Sequence, residues 1–539
     1  MAIGSENSAA AIRPAWVRWL MPSIADLLFV AMLCLLVFTS LSIRLLGDAG
    51  IGWHIRTGQI ILATHSVPRV DPFSSSMAGH AWFAWEWLSD VLVGCLEKVA
   101  GLNGVVLFAA LIIAGVFSWA FRLLVRRGTN VLIAIILVLL AASASMIHFL
   151  ARPHVVSWLF TLLWFWILEN SEKHVTTDRE SKIRGPRLLW LLPLTTLVWV
   201  NVHGGFLVGF VLFKVYWICA FWEWASLSFT VTEGSFDEGL RKIEAGRRVW
   251  YLTLAGVLSS AATLANPYGI RLHVHIYHYL SNRFLMNHIE EFQSPNFHYV
   301  SQECFAALLL LTLIALAVKH TRTRATHLLV VLFAVSSGLY ASRNIPVSSL
   351  LLILVIGPWL SSAGRKSDRF GHSSKSFLNR MKSIELGLHG HVWPIAAVLL
   401  ALWIAVRGGG LGGSQLMNSH FDAKRFPVAA VDYLQKRSAP GPVLSPDIWE
   451  GYLIYRLYPQ TKVVVDDRHD LYGEEFLKSY LKLVHVEPGW REFLRQHPAN
   501  HIVVPRESPL AGVLGETREW RRVYIDEVSM VFEPAVDGY

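Results

Sequence analysis

The stretch "GDAGIGWHIRTGQIIL", residues 47–62, follows directly on an apolar run that begins near residue 24. That run is long enough to cross a bilayer, for which about 20 residues are needed. It is too long for a signal-peptide core and no A-x-A-like site follows it, so it reads as a retained first span over 24–46. The chain therefore sets Asp48, Trp53, His54 and Arg56 where it leaves the membrane. Polar groups beside hydrocarbon are costly and default to a functional reading. The side they face, and what gathers around them, decides what they do.

The rest of the chain repeats the pattern. Its 539 residues are 53% hydrophobic and 16% charged, against about 25% charged in soluble domains. Apolar segments recur near 24–46, 102–124, 131–148, 153–169, 187–200, 204–222, 249–265, 303–319, 326–341, 345–361 and 391–407. About eleven spans are expected, making this an α-helical polytopic membrane protein. The net charge of +9 resides mainly in short loops such as "RLLVRRG", "RKIEAGRR" and "KHTRTR". Such loops are topology signals, not a nucleic-acid surface. They put residues 1–23 in the cytoplasm and the alternate loops outside, including a first outer loop over 47–101. Four cysteines without a CxxC argue against a disulfide framework or a thiolate zinc site.

An odd span count also leaves the C-terminal part outside. The Gly-rich "RGGGLGGSQ" within 408–417 reads as a flexible linker. Residues 418–539 alternate helical stretches ("FPVAAVDYLQKR", "IWEGYLIYRLY", "PGWREFLRQH") with strand-like ones ("PVLSP", "TKVVVDDR", "NHIVVP", "WRRVYIDEVSMVFEP"). That order predicts a small extracytoplasmic α/β domain with a largely parallel sheet.

Polar residues concentrate in the outer segments, which hold eleven of the 22 histidines. The first outer loop has Asp48, His54, Glu86 and Asp90. The later turns supply Arg152 and His154, Asn201 and His203, Asn266, and Arg343. This bias predicts an outward-facing polar cavity. Blander readings stand beside it. Asp48 has Arg44 four residues earlier on its helix. Trp53, Trp82, Trp85 and Trp87 read as aromatic-belt anchors, and Asn201 and His203 suit helix caps. The "HVHIYHY" run reads as interfacial packing, since no carboxylate at matching spacing completes a metal site. An acid at the end of the first span with arginines on neighbouring turns suits transfer from a lipid phosphate. The carboxylate takes a proton from an acceptor hydroxyl, and arginines or a divalent cation stabilise the departing phosphate.

The pattern "DAGIGWHIRTGQIILATHSVPRVDPFS…WFAWEWLSD" and the blocks "ARPHVVS", "NVHGGF", "NPYG", "SRNIP" and "DDRHDLYG" resemble polyprenyl-phosphate-dependent glycosyltransferases of the multi-span C superfamily (the GT-C fold). The similarity is to an uncharacterised bacterial branch related to protein mannosyltransferases and aminoarabinose transferases. The resemblance implies a polyprenyl-phosphate sugar as donor, a cell-envelope acceptor, and the bacterial cytoplasmic membrane as location. It makes Asp48 the catalytic base or metal-associated acid of the first loop. Arg152 and Arg343 are then expected to hold the donor phosphate, and His54, Glu86, His154, His203, Asn201 and Asn266 to shape the pocket. Asp48-Ala49-Gly50 is not DxD and residues 148–154 hold no acid, so the chain departs from relatives with paired acids. The divalent cation is left open, with His54 or Glu86 as an alternative second polar group. A transporter or flippase is the rival expectation, and a non-catalytic scaffold the third.

Overall fold

The first long helix begins where its caps dictate. Ser23 and Asp26 form a reciprocal capping box, with the Asp26 amide donating to Ser23 Oγ and the Ser23 amide to Asp26 Oδ2. The Glu385 carboxylate, brought from far along the chain, accepts from the amides of Ile24 and Ala25. An anion at that helix end meets both the free N–H groups and the dipole. The computed structural model describes residues 15–172, 187–230, 236–319, 322–366, 372–438 and 440–535. Much of the N-terminal segment and several basic stretches behind the topology expectation (residues 1–14, 173–186 and 367–371) lie outside them.

Among the described residues six helices are long and apolar enough to cross a membrane: Arg18–Phe38, Trp87–Arg126, Val131–His148, Phe206–Phe229, Val300–Val318 and Ser342–Ser362. A seventh arises if Phe377–Gly387 and Val392–Val406, bent by 53°, form one span. Leu191–Val202 and Ala325–Tyr340 are shorter apolar helices. The chain is thus a helical multi-span membrane protein, with six or seven spans on length and composition where eleven are expected. The Trp87–Arg126 helix is broken at Ala100 and Gly101, where Gly101 has φ +59°. A left-handed residue ends the first piece at low cost only as glycine, and the apolar stretch expected from residue 102 starts just beyond it.

The C-terminal region departs from its expectation in two places. Its sheet runs in the order Val443–Leu444, His501–Pro505, Ser529–Pro534, Trp520–Ile525. Only the first pair is parallel; the others are antiparallel. A tight hairpin connection cannot carry a parallel pair, so the last two strands fix the sheet as mixed. "TKVVVDDR" makes only single bridges, from Val463 to Val443 and to Ser74 of the first loop. The Gly-rich stretch expected as a linker contains a short hairpin. Gly410–Leu411 pairs with Ser414–Gln415 across Gly412 (φ +57°) and Gly413 (φ +84°). Left-handed residues at both centres give the tight turn that suits a two-residue hairpin.

Glycines bring the first loop against its neighbours. The Ile51–Thr64 helix touches the Asp447–Leu457 helix so closely that a Cβ on Gly52 would lie 2.0 Å from the Gly451 carbonyl oxygen. On its other side, a Cβ on Gly58 would lie 1.8 Å from the Asp90 carbonyl oxygen. The helix that opens with Asp48 and Gly50 is therefore wedged between the first outer segment and the C-terminal region.

Candidate active site

That wedge puts two carboxylates around one guanidinium. Asp48 Oδ1 accepts from the Gly50 amide at 2.8 Å, the local turn expected of an Asp before a helix. Its Oδ2 accepts from Arg152 Nη1 at 2.7 Å. On the far side of Arg152, Nη2 lies 3.9 Å from Asp467 Oδ2. Asp467 Oδ1 in turn accepts from Trp53 Nε1 at 2.8 Å. The side chains of Asp48, Arg152 and Asp467 keep 27%, 26% and 17% of their surface accessible, so the clamp is open to a ligand. Gly50 leaves it room. A Cβ there would sit 2.5 Å from Asp467 Oδ2, 3.0 Å from Asp48 Oδ1 and 3.2 Å from Arg152 Cζ.

The two acids differ in proton affinity. Burial raises that of Asp48, but Arg152 and the Gly50 amide more than offset it and hold the carboxyl below its ordinary range. Burial is also the largest influence on Asp467. Arg152 pulls it down while Asp48 and Asp466 push it up, and it ends at about 7.

Asp467 comes from "DDRHDLYG", a block to which the sequence reading gave no site residue. Its neighbours anchor it. Arg468 donates to Asp71 at 2.7 Å and to both oxygens of Asp466, and lies over the Trp82 ring at 4.5 Å. Tyr472 Oη donates to Asp466 at 2.9 Å. All three charged groups of this latch are buried. Trp53 and Trp82 are likewise buried, at 7% and 4%. They are not membrane-belt anchors: an indole N–H inside the protein needs a partner, and Trp53 finds Asp467.

A second set of polar groups stands beside the clamp. His54 Nδ1 lies 2.6 Å from Asp90 Oδ1, and its Nε2 lies 3.7 Å from Glu86 Oε2. From the opposite side His203 Nε2 lies 3.6 Å from Glu86 Oε1. Burial dominates Glu86 and leaves it at about 7, with Arg152 and Arg343 pulling down and Asp470 and Glu291 pushing up. Arg343 pairs with Glu291 at 3.0 Å. His154 Nε2 lies 2.9 Å from the His148 carbonyl, with its ring 6.5 Å from that of His203.

Two expected pocket residues are engaged elsewhere. Asn201 accepts from Trp87 Nε1 at 2.7 Å and donates to the carbonyls of Leu197 and Ala265. Asn266 folds its amide back on its own turn, with Thr263, Tyr268 and Gly269. Both tie helix ends together, with their side-chain amides hydrogen-bonded inside the protein. In the "HVHIYHY" run, His275 finds the carboxylate that local spacing lacked, 2.8 Å away on Asp470.

No family model matches the chain, nor does any curated protein sequence. Among solved structures, the Archaeoglobus fulgidus oligosaccharyltransferase tethered to an acceptor peptide with an NVT sequon is similar at 11% identity and a TM-score of 0.53. The match covers 89% of this chain and 69% of that one. The same enzyme in complex with zinc and sulfate matches at 12% identity and a TM-score of 0.50, covering 90% and 67%. The chain shares its overall fold with that oligosaccharyltransferase.

The divalent cation can be weighed against the residues present. Among the described residues no three His, Cys, Asp or Glu side chains converge to hold a metal. Both oxygens of Asp48 already accept hydrogen bonds, and a guanidinium lies between it and Asp467. This donor set fits a fixed guanidinium and does not fit a metal ion.

Proposed function

We propose that the chain is a membrane glycosyltransferase that moves a sugar from a polyprenyl-phosphate donor to a cell-envelope acceptor. On the topology expected from the basic loops the site faces the outer side of the bacterial cytoplasmic membrane. The observation that carries the reading is the Asp48–Arg152–Asp467 clamp, part-exposed among histidines at the ends of several helices. A GT-C-like fold is consistent with it.

The chemistry follows from the charges. Arg152 offers a planar fork to the donor phosphate, and Arg343 supplies a second cation from a neighbouring turn. As the glycosidic C–O bond breaks, positive charge grows on the sugar ring. Asp48, kept ionised by Arg152, faces that charge. Asp467 has Oδ2 free of any close partner but Arg152 and a proton affinity near neutrality, which suits a general base. It takes the acceptor proton as the new bond forms. Arg152 is the site's cation, and no step passes through a metal.

The test uses full-length protein in lipid vesicles with a radiolabelled polyprenyl-phosphate sugar. Transfer to envelope acceptors is expected from the native chain and not from Asp48→Asn. Full residual transfer in a well-folded Asp48→Asn chain would remove Asp48 from the mechanism. Movement of the lipid-linked sugar across the vesicle membrane without transfer would favour a flippase instead.

A further inference from the structure

The hydrogen-bond polarity around Glu86 is determined by its neighbours. Trp199 Nε1 donates to Ser157 Oγ at 2.8 Å, so the Ser157 hydroxyl turns its proton to His203 Nδ1, 2.8 Å away. The Gly205 amide donates to the same Nδ1 at 2.9 Å. A ring nitrogen that accepts twice carries no proton. In neutral His203 the proton is therefore on Nε2, aimed at Glu86 Oε1. Across the site, His54 Nδ1 meets Asp90 Oδ1. The two share one proton: with it on His54 Nδ1, Nε2 presents a lone pair to Glu86 Oε2, and with it on Asp90, Nε2 carries a proton aimed there. Among the described residues, buried His54 Nε2 and Asp90 Oδ2 have no hydrogen-bond partner.

With the shared proton on His54 Nδ1, Glu86 stands between one donor and one acceptor. A neutral carboxylic acid matches both, with its carbonyl toward His203 and its hydroxyl toward His54. The alternative places the proton of Glu86 on His54 Nε2 and that of His54 Nδ1 on Asp90. The two arrangements hold the same number of protons and differ by two short hops. The gaps of 3.6 and 3.7 Å are those of an open site, since catalytic hydrogen bonds often tighten only when substrate is bound.

We propose that Asp90, His54 and Glu86 form a proton relay that delivers one proton from Glu86 to the phosphate oxygen leaving the sugar. The inference rests on the transferase reading above. When the bond from the anomeric carbon to the phosphate oxygen breaks, its electron pair goes to that oxygen, which takes the proton of Glu86 Oε2. The acceptor's own proton goes to Asp467, and water restores both groups between turnovers. Two facts favour this direction. The cations that act on Glu86 are Arg152 and Arg343, the pair proposed to hold the phosphate. A neutral Glu86 also lets an anionic donor approach without repulsion, and burial lifts its proton affinity to about 7 against the pull of both arginines, while Asp470 and Glu291 oppose ionisation. Glu86 touches the substrate; His54 and Asp90 position and exchange its proton.

The experiment is an infrared titration of full-length protein in bilayers across neutrality, without substrate. A protonated-carboxyl C=O band is expected to titrate near pH 7. In an Asp467→Asn background, which removes the other carboxyl near 7, it should vanish in Glu86→Gln, and its midpoint should move in His54→Gln and Asp90→Asn. A titrating band unaffected by Glu86→Gln, or a midpoint unmoved in both other variants, overturns the relay. With the radiolabelled donor, Glu86→Gln should lower kcat by about 10²–10⁴ without weakening donor binding. Equal loss in kcat and donor affinity would make Glu86 a binding group only. Because the titration needs no substrate, transfer without a Glu86 band keeps the function and sinks the relay. A Glu86 band in a chain that transfers no sugar overturns the delivery step.

Discussion

The His154–Glu172 helix has a cluster of acids near each end, and the two are built differently. Glu169 lies fifteen residues beyond His154, or ~22 Å along the axis. Its Oε2 accepts from Arg127, and its Oε1 faces His327 Nε2 at 2.8 Å and the Tyr216 hydroxyl at 3.0 Å. Only 3% of the Glu169 side chain is exposed. Both oxygens have partners from other helices, so this cluster is a joint. At the opposite end Asp48 and Asp467 share one guanidinium and stay part-exposed. Buried charges paired across helices hold them together. Charges left accessible are those that can still bind or move a proton.

The largest expected effect separates the two ends. Arg152→Ala should lower transfer by about 10²–10³, the cost of removing a fixed donor from a developing anion. Thermal stability should change little, because both carboxylates retain solvent. Arg127→Ala should do the reverse, costing about 3–5 kcal/mol of stability by stranding a buried carboxylate while the folded fraction keeps its kcat. Transfer rates and melting curves measured side by side check both halves. If Arg152→Ala melts the chain as severely as Arg127→Ala, both ends are joints and the contrast fails.

Gly50→Ala sharpens the comparison without touching a charge. Its methyl would press Asp467 and Asp48 away from Arg152, and a displacement of this size is worth about 100-fold in rate. Steady-state kinetics should show the loss in kcat; a native rate would mean the clamp tolerates the shift.

The pH profile is a further consequence. Asp467 must be ionised to act as base, so activity should fall as pH drops through about 7. Glu86 must be protonated to act as acid, so activity should fall as pH rises through about 7. A narrow bell centred near neutrality is the expected kcat/KM profile, and a flat profile across that range contradicts both assignments. The smallest effect is at Asn266, whose side chain serves only its own turn. Asn266→Ala should cost about 1 kcal/mol of stability and leave the rate unchanged.

Much of the helical part is legible along the chain because it rests on local pattern. The break at Gly101 falls at the residue before the expected apolar stretch, and Asp48, Arg152 and His203 sit in turns that polarity alone singles out. Asp467 was not legible in the same way. Its contact with Trp53 spans 414 residues of sequence, and that proximity depends on the glycine contact at Gly52 and Gly451. A signal was present, since an Asp-Asp-Arg run closing an apolar strand is unusual for a solvated face. The first loop's missing second acid was sought nearby, when the fold supplies it from the C-terminal region. The hairpin at 410–415 was lost for a related reason: glycine-rich composition suggests looseness, while two adjacent left-handed glycines make a fixed turn.

The central claim is that this distant acid completes the site, and Asp467→Asn in the full-length chain tests it most directly. The substitution keeps the shape and the Trp53 hydrogen bond but removes the base. With a radiolabelled polyprenyl-phosphate sugar, we expect transfer to fall by about 10²–10⁴ with donor binding and folding intact. Transfer at the native rate would show that the first loop works without the C-terminal acid.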